Sequence, residues 1–153
     1  MNVGDLMSRP VHTCRSHESL NAAAQMMWEA DIGAVAVVDD KNRVVGMITD
    51  RDVCMAAYTQ GRPLTEIVLA ESMAKHLVAC SRSDSIADVL KLMKAHQIRR
   101  IPVLDAERHA IGIITLSDLV RWPEPASRKE GELVDTLAAL SRPRRSVALV
   151  SAA

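Results

Sequence analysis

Gly46-Met47-Ile48-Thr49-Asp50-Arg51-Asp52 recurs as Gly112-Ile113-Ile114-Thr115-Leu116-Ser117-Asp118. Each stretch ends a short apolar run and opens a more polar one, so each reads as a strand turning into a helix. Thr-x-x-Asp at that junction has capping-box spacing: Thr caps the helix, and Asp at the third helical position suits the helix dipole. The same residues suit a phosphorylated ligand. A helix N-terminus offers free N–H groups to phosphate, and the Thr hydroxyl adds a donor. A carboxylate one turn later can accept from two vicinal ribose hydroxyls. Gly46 and Gly112 are expected to leave room for that ligand. Cap and ligand site are both open readings of one copy; the duplication favours the ligand.

The match extends outward. A shift of 66 residues lays Met7 to Cys54 on the second half without a gap. Met7 meets Met73, Cys14 meets Cys80, Val37 meets Val103 and Asp39 meets Asp105. Two copies are too few for a solenoid, so a pseudo-twofold pair is expected. Each copy begins with an extended piece, Pro10 to Cys14 or Leu77 to Cys80. A helix follows, with Ser19 and Ser85 as candidate N-caps. Its apolar face is Leu20, Ala23, Ala24 and Met27, or Ile86, Val89, Leu90 and Met93, at i, i+3, i+4 and i+7. Two strands come next, Ala34 to Val38 with Val44 to Ile48, and Ile101 to Leu104 with Ala110 to Ile114. Polar turns join them at Asp39 to Asn42 and Asp105 to Arg108. A second helix starts at Asp50 and at Leu116. The fold class is α/β, two βαββα units in one pseudo-twofold module with a C-terminal helical extension. The first motif spans 1–60, a linker 61–72 with a short helix over 64–72, the second motif 73–123 and the extension 124–153.

In the extension, Pro123 and Pro125 stop regular structure. Residues 130–141 are expected to form a helix with Leu133, Leu137 and Leu140 on one stripe. The stripe must bury on its own module or across a dimer, leaving Arg142 to Arg145 in solvent. The helix is expected to report the state of the module to a partner. Residues 142–153 are a frayed tail or, at Val147 to Val150, an edge strand.

Composition excludes several classes. Nineteen Lys and Arg balance nineteen Asp and Glu, so the electrostatic footprint of a nucleic-acid binder is absent. No stretch approaches the roughly 18–20 apolar residues that span a membrane, and the N-terminus lacks a signal-peptide pattern; a cytoplasmic protein is expected. Phe is absent and Met numbers eight, so the core is aliphatic. Cys14, Cys54 and Cys80 have no metal or disulfide spacing. They read as reduced, half-buried residues, with a Cys14–Cys80 redox pair as the minority reading. His12, His17, His76, His96 and His109 share no ligand spacing on one element, so no metal is expected. Nothing has the context of a catalytic nucleophile, so no enzyme is expected. Trp28 reads as core or interface filler.

The doubled phrases resemble the cystathionine-β-synthase (CBS) motif, which occurs in tandem as a Bateman module. Ile32-Gly33-Ala34-Val35-Ala36-Val37-Val38-Asp39 and Gly46 to Asp52 are similar to the first motif of small stand-alone bacterial pairs. Ile98-Arg99-Arg100-Ile101-Pro102-Val103-Leu104-Asp105 is similar to the second. The resemblance runs from about Val3 to Trp122. It implies a regulatory, non-catalytic module with clefts for AMP, ADP, ATP or S-adenosylmethionine and an unknown regulated protein. A homodimer is expected from the zero net charge, the Ala- and Met-rich helix Asn21 to Ala30 and the apolar second helix with Met55, Ala56 and Tyr58. The resemblance also implies roles. Asp52 and Asp118 would hold ribose hydroxyls, and Thr49 and Thr115 would face phosphate or ribose. Adenine would lie against His12 and Thr13, or Val78 and Ala79, and against Ala34 and Val35, or Ile101 and Pro102. A phosphate contact would fall to Arg100, with Arg99 and Arg51 as alternatives and surface ion pairing as the bland reading of Arg99 and Arg100. The copies differ: Ala36 stands where Pro102 stands, Gly33 and Ala34 where Arg99 and Arg100 stand, and Asp50 where Leu116 stands. The negative Asp50 would repel a triphosphate. The alternative function is a structural dimerisation module without a physiological nucleotide.

Overall fold

Strand pairing, rather than local propensity, fixes the architecture. The computed structural model describes residues 1–121 and 129–142. The expected stop at Pro123 and Pro125, and the expectations for Arg144, Arg145 and residues 147–150, lie outside them. The elements are α1 (Val3–Leu6), β1 (Thr13–Arg15), α2 (Leu20–Glu29), β2 (Ala34–Val38), β3 (Val44–Thr49), α3 (Asp50–Gln60), α4 (Leu69–Ser72), β4 (Cys80–Ser81), α5 (Ile86–His96), β5 (Arg100–Leu104), β6 (Ala110–Thr115), α6 (Leu116–Arg121) and α7 (Lys129–Ser141). The strands form two three-stranded sheets, β1-β2-β3 and β4-β5-β6. In each, the first pair is parallel and the second antiparallel. This is the doubled βαββα order expected, with the C-terminal helix present. β1 and β4 are shorter and begin later than Pro10 and Leu77.

Each motif has its own core. Leu20, Ala23, Met27, Val35, Val37 and Ile48 anchor the first. Val89, Leu90, Met93, Ile101, Val103 and Ile114 anchor the second. A smaller cluster of Ala36, Val38 and Val44 collects Val11, Met47, Leu77, Leu104 and Ala110 from both halves. The sheet edges meet there: Val44 donates its N–H to the Arg108 carbonyl at 2.9 Å.

The lead segments are exchanged between motifs. Val3, fully buried, lies in the second core. Val3 and Gly4 donate N–H bonds to the carbonyls of Asp84 and Arg82, and Ser8 exchanges two bonds with Ile113. The linker mirrors this on the first motif: Ile67 and Leu69 are fully buried in its core, and Leu69 and Ala70 donate to Glu18 and Ser16. Burying one such aliphatic side chain stabilises by roughly 1.5–3 kcal/mol.

This exchange explains two departures. Residues 64–72 are not one helix. A 3-10 turn (Leu64–Glu66) and α4 flank extended Ile67 and Val68, because the Ile67 carbonyl accepts the Leu20 N–H and Ser19 bridges Val68. Ser19 makes no side-chain cap, whereas Ser85 accepts from the Asp88 N–H; Ala22 stands where Asp88 stands.

Helix α7 docks on its own module. Leu133 and Leu140 pack against the second core, and Thr136 between them is 1% exposed. Leu137, expected inside, is 41% exposed, because i, i+3 and i+7 from Leu133 pass through Thr136 and Leu140. Arg142 is exposed, as expected. Trp28 is 88% exposed and not core. No helix among the described residues is long and apolar enough to cross a membrane.

Candidate functional site

Both Thr-x-x-Asp junctions close into capping boxes with nearly identical geometry. Asp52 Oδ2 accepts from the Thr49 N–H at 2.9 Å and the Thr49 hydroxyl at 2.6 Å, and the Asp52 N–H donates to Thr49 Oγ1 at 3.2 Å. At the second junction the corresponding distances are 2.8, 2.6 and 3.2 Å for Thr115 and Asp118. The Thr hydroxyl therefore spends its proton on its own Asp and is not the free donor expected of it. One carboxylate oxygen of each Asp remains outside the box.

Those outer oxygens differ. Asp118 Oδ1 accepts from the Ser8 hydroxyl at 3.0 Å and from Arg121 Nη2 at 3.4 Å. Ala74 stands where Ser8 stands in the repeat and has no hydroxyl to offer Asp52. The helix starts also differ. At α3, Asp50 donates its N–H to the Gly33 carbonyl, and Arg51 donates its own to Asp50 Oδ1 at 2.8 Å. With the Asp52 N–H also bonded, the free N–H groups expected for a phosphate are already used. At α6, Leu116 donates to the Arg99 carbonyl, and Leu116 has no carboxylate to cap Ser117.

The glycines serve packing, not ligand space. A Cβ on Gly46 would lie 2.8 Å from both the Ala74 carbonyl oxygen and Met73 Sδ; one on Gly112 would meet Met7, 2.9 Å from its Cγ. Both glycines admit the exchanged lead segments.

Strand alternation sorts the remaining residues. Ala34 pairs with Thr49 and Arg100 with Thr115. Val35 and Ile101 turn their side chains into the helix-facing cores, so only their backbones can line a cleft. Ala34 and Pro102 sit on the alternate positions. Thr13 is beside Ala36 in register, and the His12 carbonyl accepts the Ala36 N–H. Val78 and Ala79 lead directly into β4, and Val78 packs toward the second core. Arg100 crosses between motifs: a Cβ on Gly33 would lie 2.8 Å from Arg100 Nη2 and 3.0 Å from Asp50 Oδ2. A cation from the second motif thus stands beside the acid that was expected to repel phosphate. Arg99 and Arg51 are exposed.

Ser8 is the residue sequence reasoning missed. The Ser8–Ala74 mismatch is visible in the repeat, but the crossing of Ser8 to the other motif is not. The missed acid–histidine group is Asp105, Glu107 and His109, whose ligand atoms lie within 4.8 Å of one another. Asp105 there braces a turn, accepting from the N–H groups of Glu107 and His109 at 3.1 and 2.7 Å. Desolvation pushes the Asp105 carboxyl up, but hydrogen bonds and charge from His109 outweigh it and hold the carboxyl below its usual value.

The cysteines are not a pair. Cys14 lies in the first core and Cys80 in the second. Burial, with Glu18 nearby, pushes the Cys14 thiol up to about 11. Burial, with Asp84 nearby, pushes Cys80 up to about 12.

A family model described as CBS domain matches residues 3–58 and 65–124. The chain is 37% identical to Hypoxic response protein 1 of Mycobacterium tuberculosis over 80% of this chain and 85% of that protein. A crystal structure of Hypoxic Response Protein I with two coordinated zinc ions superposes with a TM-score of 0.74 at 34% identity, covering 81% of this chain and all of that one. The CBS domain pair of protein MJ0100, in complex with 5'-methylthioadenosine and S-adenosyl-L-methionine, superposes with a TM-score of 0.72 at 26% identity, covering 79% and 94%.

Proposed function

Because the chain belongs to the CBS-domain family as a tandem pair, we propose that it is a non-catalytic regulatory module that binds an adenosine-type ligand such as AMP, ADP, ATP or S-adenosylmethionine. The observation that carries this reading is the doubled Thr-x-x-Asp box, in which one oxygen caps the helix and the other stays outside it. A carboxylate oxygen held rigidly in this way can accept from ribose hydroxyls without further ordering cost. The adenosyl ligands of the MJ0100 pair support the ligand class. Arg100 beside Asp50 supports a phosphate-bearing ligand at the first junction.

The test is calorimetry with AMP, ADP, ATP and S-adenosylmethionine on the intact chain, alongside Asp52→Asn and Asp118→Asn. Asn keeps a capping oxygen but loses the charge. Saturable binding that weakens about tenfold or more in a variant supports the reading. Equal affinity in both variants reduces the motif to a helix cap.

The module works as a homodimer. Trp28, Met55 and Tyr58 are exposed on the first motif's helices at 88, 44 and 82%, which supports a covered face. Helix α7, seated on the second motif, relays cleft occupancy to a partner protein. Hydrogen exchange over residues 129–141 should slow with ligand; unchanged protection would make α7 a clasp alone.

A further inference from the structure

The helix faces of the two motifs are equivalent by the repeat but unequally covered. In the second motif, Leu133 and Leu140 of α7 pack against a core that includes Leu90, Met93 and Leu119, and Ile98 packs against the same core. The counterparts in the first motif are Ala24, Met27, Val53 and Ile32. They line an open groove of about 320 Å³. Ala24 in place of Leu90 deepens it. The surface type is therefore one that this chain already fills with a helix elsewhere.

The groove differs from its counterpart in chemistry at the edge. Asp31 and Asp50 line it where the second motif has Gln97 and Leu116. Trp28, 88% exposed, also lines it, at the position of Lys94. Arg100 already stands beside Asp50, so the acid left to an occupant is Asp31, and the occupant must offer an apolar helix face with a cation at one end.

The outward face of α7 has that pattern. Val134 is 62% and Leu137 41% exposed, and Ala138 is exposed one turn beyond Val134. Arg142, also exposed, follows Ala138 at the end of the helix. Asp135 lies seven residues earlier, about 10 Å up the axis, so the acidic and basic ends are separated. Within one chain α7 is seated on α5 through its inner face.

We propose that the groove of one chain receives the outward face of α7 from a second copy, so that a twofold dimer makes this contact twice. Val134 and Leu137 enter between Met27, Ile32 and Trp28, and Arg142 meets Asp31. A twofold exchange of two unlike patches closes on itself, whereas a one-way contact would propagate into a filament. This deepens the homodimer reading and rests on it; it is independent of any ligand.

The experiment uses the full chain in a Cys54→Ser background, so that the one exposed native thiol does not compete. Trp28→Cys chains are mixed with Leu137→Cys chains and oxidised. The expected product is a mixed disulfide dimer, with neither variant cross-linking to itself. A Trp28→Cys chain that cross-links to itself places the first-motif faces against each other and overturns the seam while leaving the dimer. A monomer mass for the unmodified chain by light scattering, at a concentration well above micromolar, overturns both. Independently, Arg142→Glu and Leu137→Lys should each weaken dimerisation about tenfold; an unchanged dimer in both overturns the seam.

Discussion

The Ser8 hydroxyl donates to Asp118 Oδ1 at 3.0 Å, joining the first turn of the chain to a carboxylate 110 residues away. The first junction has Ala74 in that place. Asp118 is thus oriented by a hydrogen bond that Asp52 lacks, and its side chain is only 9% exposed. Ser8→Ala should lower affinity at the second cleft about threefold to tenfold, the scale of one ordinary hydrogen bond, because Ser8 orients Asp118 rather than touching the ligand. The first cleft should be untouched. Two-site calorimetry resolves them, and Ala74→Ser gives the reciprocal control. A uniform loss at both sites would mean that Ser8 acts through the fold alone.

Gly46→Ala should destabilise by about 1–3 kcal/mol, as overpacking does. The new methyl would press on the Ala74 backbone carbonyl, which cannot rotate away. At Gly112 the three atoms nearest a new methyl all belong to the Met7 side chain, whose thioether can move, so Gly112→Ala should cost less. Denaturant midpoints order the two variants; the reverse order would contradict the packing.

Thiol reactivity should separate the cysteines. The nucleophile is the thiolate, and burial holds Cys14 and Cys80 protonated with thiols raised to about 11 and about 12. Cys54 is exposed. At about pH 8, a disulfide reagent should titrate one thiol quickly and three after unfolding. Rapid release of three equivalents from the native chain would refute the buried environment.

Acid should loosen the turns. The side-chain and backbone bonds with Arg43 hold the Asp39 carboxyl below its usual value, and bonds from Ser85 and Lys91 do the same for Asp88. A folded-state value below the unfolded one gives stability that is present above the unfolded value. That stability is lost as pH falls through the folded one. The melting temperature should drop between about pH 5 and about pH 3, and less steeply in Asp39→Asn. Parallel slopes would show that the Asp39–Arg43 pair does not contribute.

The repeat made the architecture readable, because an ungapped register fixes two equivalent sets of strands and helices at once. Periodicity also placed the buried residues of α5 correctly at Ile86, Val89, Leu90 and Met93. The failures share a cause. Ser19, the 64–72 segment and the two glycines all depend on what a distant segment does: Ile67 takes the α2 start, and Met73, Ala74 and Met7 fill the space at the glycines. Local sequence cannot reveal a partner more than twenty-five residues away. The site was legible at Thr49, Asp52, Thr115 and Asp118 as a pattern. Its sidedness was not, because whether Val35 and Ile101 face cleft or core depends on strand register.

The exchanged lead segments also bear on origin. A single motif completes its core only with a turn borrowed from another copy, as Val3 and Leu69 show. An ancestor carrying one motif would therefore have been an obligate pair of chains trading their first turns, stable only at sufficient protein concentration. Fusion of two copies makes the trade internal and replaces bulk concentration with the far higher local concentration of tethered ends. Either half expressed alone should then behave like that ancestor: unfolded when dilute, and folded only when it finds a second copy of itself.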